Sequence, residues 1–228
     1  MTSISPFARV YVLPLLPEFS RLYPRIDVEL HLDDRVADMI AEGYDVGIRA
    51  GGMREASMVV REIAPLHFVI CGAPDYFAGR GVPAKAADLA KYNCLRLRGR
   101  GSQGARPSNW RLGPKEVPAA PPVSGNFIGG DITTLVAAAT HGQGLVFAPL
   151  PFVLPLFRSG ALAPVLPEYI SQPGKLFIYY PNRRHLPVRV RSFANFLLER
   201  LRKNLDLGPD AQSLVAPYLP VRKRAALA

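Results

Sequence analysis

Apolar side chains at Phe7, Val10, Tyr11, Leu15, Phe19 and Leu22 follow helical spacing and predict a helix over 6–22 with a kink at Pro14. Ile26, Val28, Leu30 and Leu32 then alternate with polar residues, which predicts a strand over 26–32 with one polar face. Asp33 and Asp34 supply N-cap chemistry for a short helix at Arg35–Glu42, which Gly43 ends. DVGIRA at 45–50 reads as a buried strand, GGMREAS as a loop, and MVVREIA and LHFVICGA as two further strands.

Pro74 opens a short helix, another covers about 85–91, and NCLRLR at 93–98 is strand-like. Residues 99–125 are rich in Gly and Pro and irregular around Trp110. The turn GGD opens a helix at Asp131–His141, followed by a strand at 144–148 and a short helix at 151–158. LFIYY at 176–180 is a strand, and 187–203 is a last amphipathic helix with Val188, Val190, Phe193, Phe196, Leu197 and Leu201 apolar. Residues 204–228 show little periodicity and read as a loose tail. Helix and strand alternate without an internal repeat, which predicts an α/β fold with largely parallel sheets.

A length of 228 residues, 49% apolar, suits one large domain or two small ones with a core that needs no staple. The content of 20% charged and 9% aromatic residues excludes disorder of the bulk, and 23 Pro with 19 Gly argue against a long-helix bundle. No apolar run approaches the roughly 18 residues of a membrane span. The start, MTSISPFARVYVL, lacks the basic segment and cleavage site of a secretory signal. The formal net charge of +10 points toward nucleic acid, but its distribution changes that picture. From Arg183 onward ten Lys and Arg face three acids, a balance of +7, which leaves +3 for residues 1–182. The excess reads as solvated charge on the last helix and tail. Cys71 and Cys94 are 23 positions apart, which is neither a metal nor a redox spacing, and both sit in apolar runs as buried free thiols. A cytoplasmic location fits.

Gly99, Gly101 and Gly104 spell G-x-G-x-x-G after a strand, yet ARPSNW begins no helix and no acid stands about 20 residues on, so a dinucleotide site is not expected. His31, His67, His141 and His185 are scattered, and no H-E-x-x-H, Cys/His cluster or G-x-S-x-G elbow occurs, so neither metal, cofactor nor catalytic set is expected. The features left belong to a binding module. Ser3 and Ser5 precede the first helix, and Asn126–Gly130 precede the helix at 131, where free N–H groups and the helix dipole suit an anion. Ordinary side-chain capping is the alternative at both starts.

The order of LPLLPEFSRLYPRIDVELHLDDRVADMIAEGYDVGIRAG (13–51), LHFVICGAPDYFAGRG (66–81), DLAKYNCLRL (88–97), the isolated Trp110, GDITTLVAAATHGQGLVFAPLPFV (130–153), SGALAPVLPEY (159–169) and LFIYYPNRRHLPVRVRSFANFLLERL (176–201) resembles the effector-binding domain of LysR-type transcriptional regulators. The resemblance covers about nine-tenths of the chain. YP before an alternating strand, GYDVGIR and YYPNRRHLP carry it together. The family's winged helix-turn-helix is absent from this chain, its opening strand is shortened to MTSIS, and the segment after Asn204 has no counterpart.

The resemblance implies two Rossmann-like α/β lobes joined by two crossover strands, the periplasmic-binding-protein type II-like arrangement. Lobe I would be 1–68 plus 178–203, lobe II 69–177, and 204–228 a C-terminal tail. The effector would lie in the inter-lobe cleft, beyond the carboxyl ends of the strands. Ser3, Ser5, Phe7, Ile48, Arg49 and Ala50 would line it from lobe I, and Arg98, Gly99, Phe127, Ile128, Phe147 and Pro149 from lobe II. These walls suit a small organic effector, anionic or aromatic, with Arg49 and Arg98 as a carboxylate clamp or else as ordinary salt-bridge partners. A ligand touching both lobes would favour a more closed arrangement. The resemblance also implies an antiparallel homodimer through Tyr11, Leu15, Leu30, Leu135 and Ala138, and DNA contact only through the absent upstream domain. The rival readings are an exported solute-binding protein of a transport system and an enzyme on a similar scaffold, such as a deaminase of pyrrole precursors.

Overall fold

The computed structural model describes residues 1–33, 41–51, 57–98, 110–113, 121, 123–182 and 186–220. It opens with β1 (Thr2–Ser3) and then one helical run: α1 (Ser5–Phe7), a π-helical stretch (Ala8–Val12), a 3-10 turn (Leu13–Leu15) and α2 (Leu16–Leu22). The helix widens before Pro14 and tightens across it, because proline donates no N–H and its ring crowds the carbonyl four residues back. Next come β2 (His31–Leu32), β3 (Gly47–Ala50), β4 (Met58–Gly72), α3 (Pro74–Phe77) and a 3-10 helix (Ala86–Lys91). Then follow β5 (Arg96–Leu97), β6 (Ile128–Gly129), α4 (Ile132–Thr140), β7 (Val146–Pro149) and α5 (Leu150–Arg158). The chain closes with β8 (Ala163–Val165), β9 (Ser171–Pro181), α6 (Val188–Arg202) and α7 (Ala211–Val215).

The structure corrects four elements of the sequence reading. The strand expected over 26–32 is laddered only at His31–Leu32, because β1 offers a two-residue partner. MVVREIA and LHFVICGA are one strand, β4, which runs on through Pro65. NCLRLR is laddered only at Arg96–Leu97, after an isolated bridge from Cys94 to Leu145. Residues 205–220 are not a loose tail, since α7 buries Ala211 and Val215. The helix expected at Arg35–Glu42 and the glycine-rich run from Gly99 lie largely or wholly outside the described residues.

The chain forms two compact units, Met1–Leu66 with Gly174–Pro209, and His67–Pro173 with the chain from Asp210 onward. In unit one, β1 pairs in parallel with β2 and with β3, Ser3 standing opposite Leu32 and Ile48. β3 pairs antiparallel with β9 at Gly47–Tyr179, and the Asn182 N–H donates to the Ser57 carbonyl at 2.7 Å beyond the end of β9. Gly47 is required there, because a Cβ would stand 2.6 Å from the Tyr179 ring. α2 meets α6 through Phe19, whose ring lies 4.8 Å from Phe193 and 5.2 Å from Phe196. Arg200 closes that seam, donating Nη2 to Glu18 Oε1 at 2.6 Å.

In unit two, β5 pairs in parallel with β6, while β7 and β8 pair antiparallel with β4. Both faces are covered, so the strands read as continuous apolar runs. Val69, Cys71, Leu95, Val146 and Ala148 face a core with Leu135 of α4 and Val153 and Leu154 of α5. Ile70, Cys94, Leu145 and Val165 face a second core with Tyr76, Phe77, Leu89, Trp110 and Leu112. α7 packs Val215 on the first core, with Tyr218 beyond it 6.1 Å from the Phe157 ring.

Candidate functional site

The parallel register of β1 and β3 brings their carboxyl ends together, which gathers Ser3, Ser5, Ile48, Arg49 and Ala50 at one edge of unit one. Ser3 and Ile48 are fully buried, Ser5 is half-buried and Ala50 is exposed. Ser5 Oγ accepts a long bond from Arg9 Nε at 3.4 Å. Phe7 lies inside the core, its ring 5.1 Å from Tyr11. Arg49 is only 4% exposed and lies along its own sheet. Its Nη2 donates to Thr2 Oγ1 at 2.7 Å and its Nη1 to the Ile48 carbonyl at 2.9 Å. These bonds hold a guanidinium at the edge of the parallel strands.

In unit two the Arg98 N–H donates to the Gly129 carbonyl at 2.8 Å, extending the ladder so that exposed Arg98 and 37%-exposed Ile128 end neighbouring strands. Gly99 is outside the described residues. Phe127 turns to the opposite face and packs on the first core. Phe147 is half-buried between Phe68, at 5.2 Å, and Trp110, at 5.8 Å, and Pro149 is buried in register with Phe68. At the start of α4, Asp131 accepts from the Thr134 N–H at 2.8 Å and from its hydroxyl at 2.8 Å, so the capping alternative holds there. No side chain caps α1 at Ile4.

The sequence reading missed Arg96. In NCLRLR, alternation puts Cys94 and Arg96 on one face and Leu95 and Leu97 on the other. Both faces carry core contacts, so the side chain at 96 is partly buried, and that alternation was the available signal. Arg96 Nε is buried without a partner, and Nη2 reaches the Gly125 carbonyl at 3.3 Å. Burial pushes the Cys71 thiol far up and the Cys94 thiol up to about 12, the latter against the pull of the Arg96 charge, so both are neutral at pH 7.

Of the residues expected at a dimer face, Tyr11 is 3% and Leu135 1% exposed, each inside its own unit, while Leu15, Leu30 and Ala138 are half-buried. A cavity of about 520 Å³ opens at the amino ends of β1 and β3, lined by Asp27, Glu29, Glu42 and Asp45 with His31 and Arg189. Its acidic lining suits no anion. Among the described residues no three His, Cys, Asp or Glu group as metal ligands, and no helix is long and apolar enough to cross a membrane.

The model of the LysR substrate binding domain matches residues 1–202. An HTH-type transcriptional repressor of Pseudomonas aeruginosa is 31% identical over 218 residues, which are 93% of this chain and 67% of that protein. The HTH-type transcriptional activator AaeR of Escherichia coli is 29% identical over 86% of this chain and 62% of its own length. The chain thus spans about six-tenths to two-thirds of these curated relatives. The regulatory domain of CrgA from Neisseria meningitidis superposes with a TM-score of 0.77 at 24% identity, covering 88% of this chain and 96% of that one. Full-length AphB of Vibrio cholerae gives 0.72 at 22%, covering 87% of this chain and 66% of its own. These likenesses give the α/β architecture of LysR regulatory domains, with its periplasmic-binding-protein type II-like fold. They favour a regulator over the transport alternative. By its match from the first strand to the end of α6, the chain belongs to the LysR substrate-binding domain family.

Proposed function

We propose that this chain is the effector-sensing part of a transcription regulator that works in the cytoplasm as a homodimer or higher homo-oligomer. A small organic effector, anionic or aromatic, engages a carboxyl edge of parallel strands. On one edge stand Ser3, Ser5 and Arg49, and on the other Arg98 and Ile128. DNA is contacted through a helix-turn-helix domain outside this chain. The observation that carries this reading is the family match over residues 1–202, joined to the register that ends β1 beside β3 and β5 beside β6. Ligands of open α/β sheets sit beyond the carboxyl ends of strands. The chain is a binding module under this reading, and its response is a shift between two arrangements set by the ligand's differential affinity.

Hydrogen exchange with a stabilising ligand tests it. Protection is expected at the strand ends, Ser3–Ser5 with Ile48–Ala50 or Leu97–Arg98 with Ile128–Gly129. Protection at none of these strand ends contradicts the reading.

A further inference from the structure

The chain passes between its two compact units three times, and the third passage lies beyond the end of the family match. The first two are strands, β4 through Leu66–His67 and β9 through Pro173–Gly174, which are neighbours in one sheet. The match ends at residue 202, the last residue of α6. The chain then stays with unit one as far as Pro209 and joins unit two at Asp210.

Both ends of this passage are fastened. On the unit-one side Arg202 Nε donates to the Glu62 carbonyl at 2.9 Å, and a 3-10 turn (Leu205–Leu207) follows. Asn204 Oδ1 accepts the Asp206 N–H at 2.9 Å to start that turn, which leaves Leu205 exposed and Leu207 buried. On the unit-two side Asp210 caps α7, accepting from the Ser213 N–H at 3.0 Å and from its hydroxyl at 2.5 Å. α7 then sets Ala211 and Val215 in the first core, and the Tyr218 ring faces Phe157. Between the buried side chains of Leu207 and Ala211 stand only Gly208, Pro209 and Asp210. Four residue steps of fully extended chain span about 14 Å. An arrangement that takes Leu207 and Ala211 farther apart has to pull one of them out of its buried place. The weaker end is α7, because a helix of five residues is held by its packing and not by its own hydrogen bonds.

We infer that Gly208–Asp210 is a strap of fixed reach between the units, and that α7, docked on unit two, limits their rearrangement until it is released. The strap sets a bound on the shift that the sensor reading gives to the effector, and it rests on that reading for this use alone.

Double electron–electron resonance between nitroxides at Arg21→Cys in unit one and Lys91→Cys in unit two tests it without any ligand. Both positions are exposed, and Cys71 and Cys94 are buried neutral thiols that take no label. Labelled chain is diluted into unlabelled chain, so that only distances within one copy are read. Inserting about 12 Gly and Ser residues between Gly208 and Pro209 adds a flexible coil of about 19 Å and keeps the sequence of α7. The distance distribution is expected to be at least twice as wide in the lengthened chain as in the native one, with native circular dichroism. Val215→Asp, which undocks α7, is expected to widen it likewise. A lengthened chain with the native distribution overturns the strap, because β4 and β9 then set the arrangement alone. A native distribution in Val215→Asp overturns it too. Since no ligand enters the measurement, either failure leaves the sensor reading standing, and a failed ligand screen leaves the strap standing.

Discussion

Leu135 decides whether α4 stabilises the chain from within or through a partner copy. Its side chain is 1% exposed and packs in the core with Leu95, Val146 and Val153. Transfer of a leucine from water contributes about 2 kcal/mol, and the void left by Leu135→Ala adds a cavity cost, so the expected loss is about 3 to 4 kcal/mol. For a chain of this size that lowers Tm by roughly 6 to 16 °C. Gly129 lies directly beneath, and a Cβ there would stand 2.7 Å from Leu135 Cδ2. Gly129→Ala alone is therefore expected to cost about 1 to 3 kcal/mol through overpacking. In the double variant the new methyl enters the void, so the combined loss is at least about 1 kcal/mol smaller than the sum. Urea unfolding of the four proteins at two concentrations tenfold apart measures this. Additive losses, or a Leu135→Ala effect that grows on dilution, refute placement in the chain's own core and return Leu135 to an interface.

Arg49→Gln removes the fork that ties β3 to Thr2, and is expected to cost about 2 to 3 kcal/mol in urea unfolding, with Arg49→Lys in between. Hydrogen bonding from Arg200 holds the Glu18 carboxyl below its ordinary value of 4.5. The folded pKa lies below the unfolded one, so this stabilisation is present above pH 4.5 and fades as pH falls below it. Glu18→Gln is expected to lower the urea midpoint at pH 7 and to flatten its dependence on pH in the acid range. Val215→Asp buries a charge in the first core of unit two and is expected to expose dye-binding apolar surface and lower Tm, whereas a loose tail would tolerate it.

The long periodic elements were legible because their spacing is the physical cause of their burial. Phe7, Tyr11 and Phe19 form the inner face of the first helical run, and Val190, Phe193 and Leu197 that of α6. Short strands were harder, because a ladder depends on a partner that no local pattern reveals. Ile26 to Leu30 alternate as a strand does, but β1 pairs only with the last two residues. Pro65 invited a break in β4, yet the strand runs on through it. The final segment was misread although Ala211, Leu214, Val215 and Tyr218 carry helical spacing, since four positions are a weak signal in a run rich in breakers. At the candidate site, Ser3, Arg49 and Arg98 were expected from their place at strand ends, and the structure puts each at such an end. Arg96 was passed over because the burial of its Nε without a partner is a tertiary property.

Thermal-shift screening of the chain against small carboxylates and aromatic compounds tests the sensing role most directly. A ligand present at a hundred times its Kd stabilises the folded state by about 2.7 kcal/mol. The expected result is a saturable rise in Tm confined to one chemical class, and a flat response across the library contradicts the account.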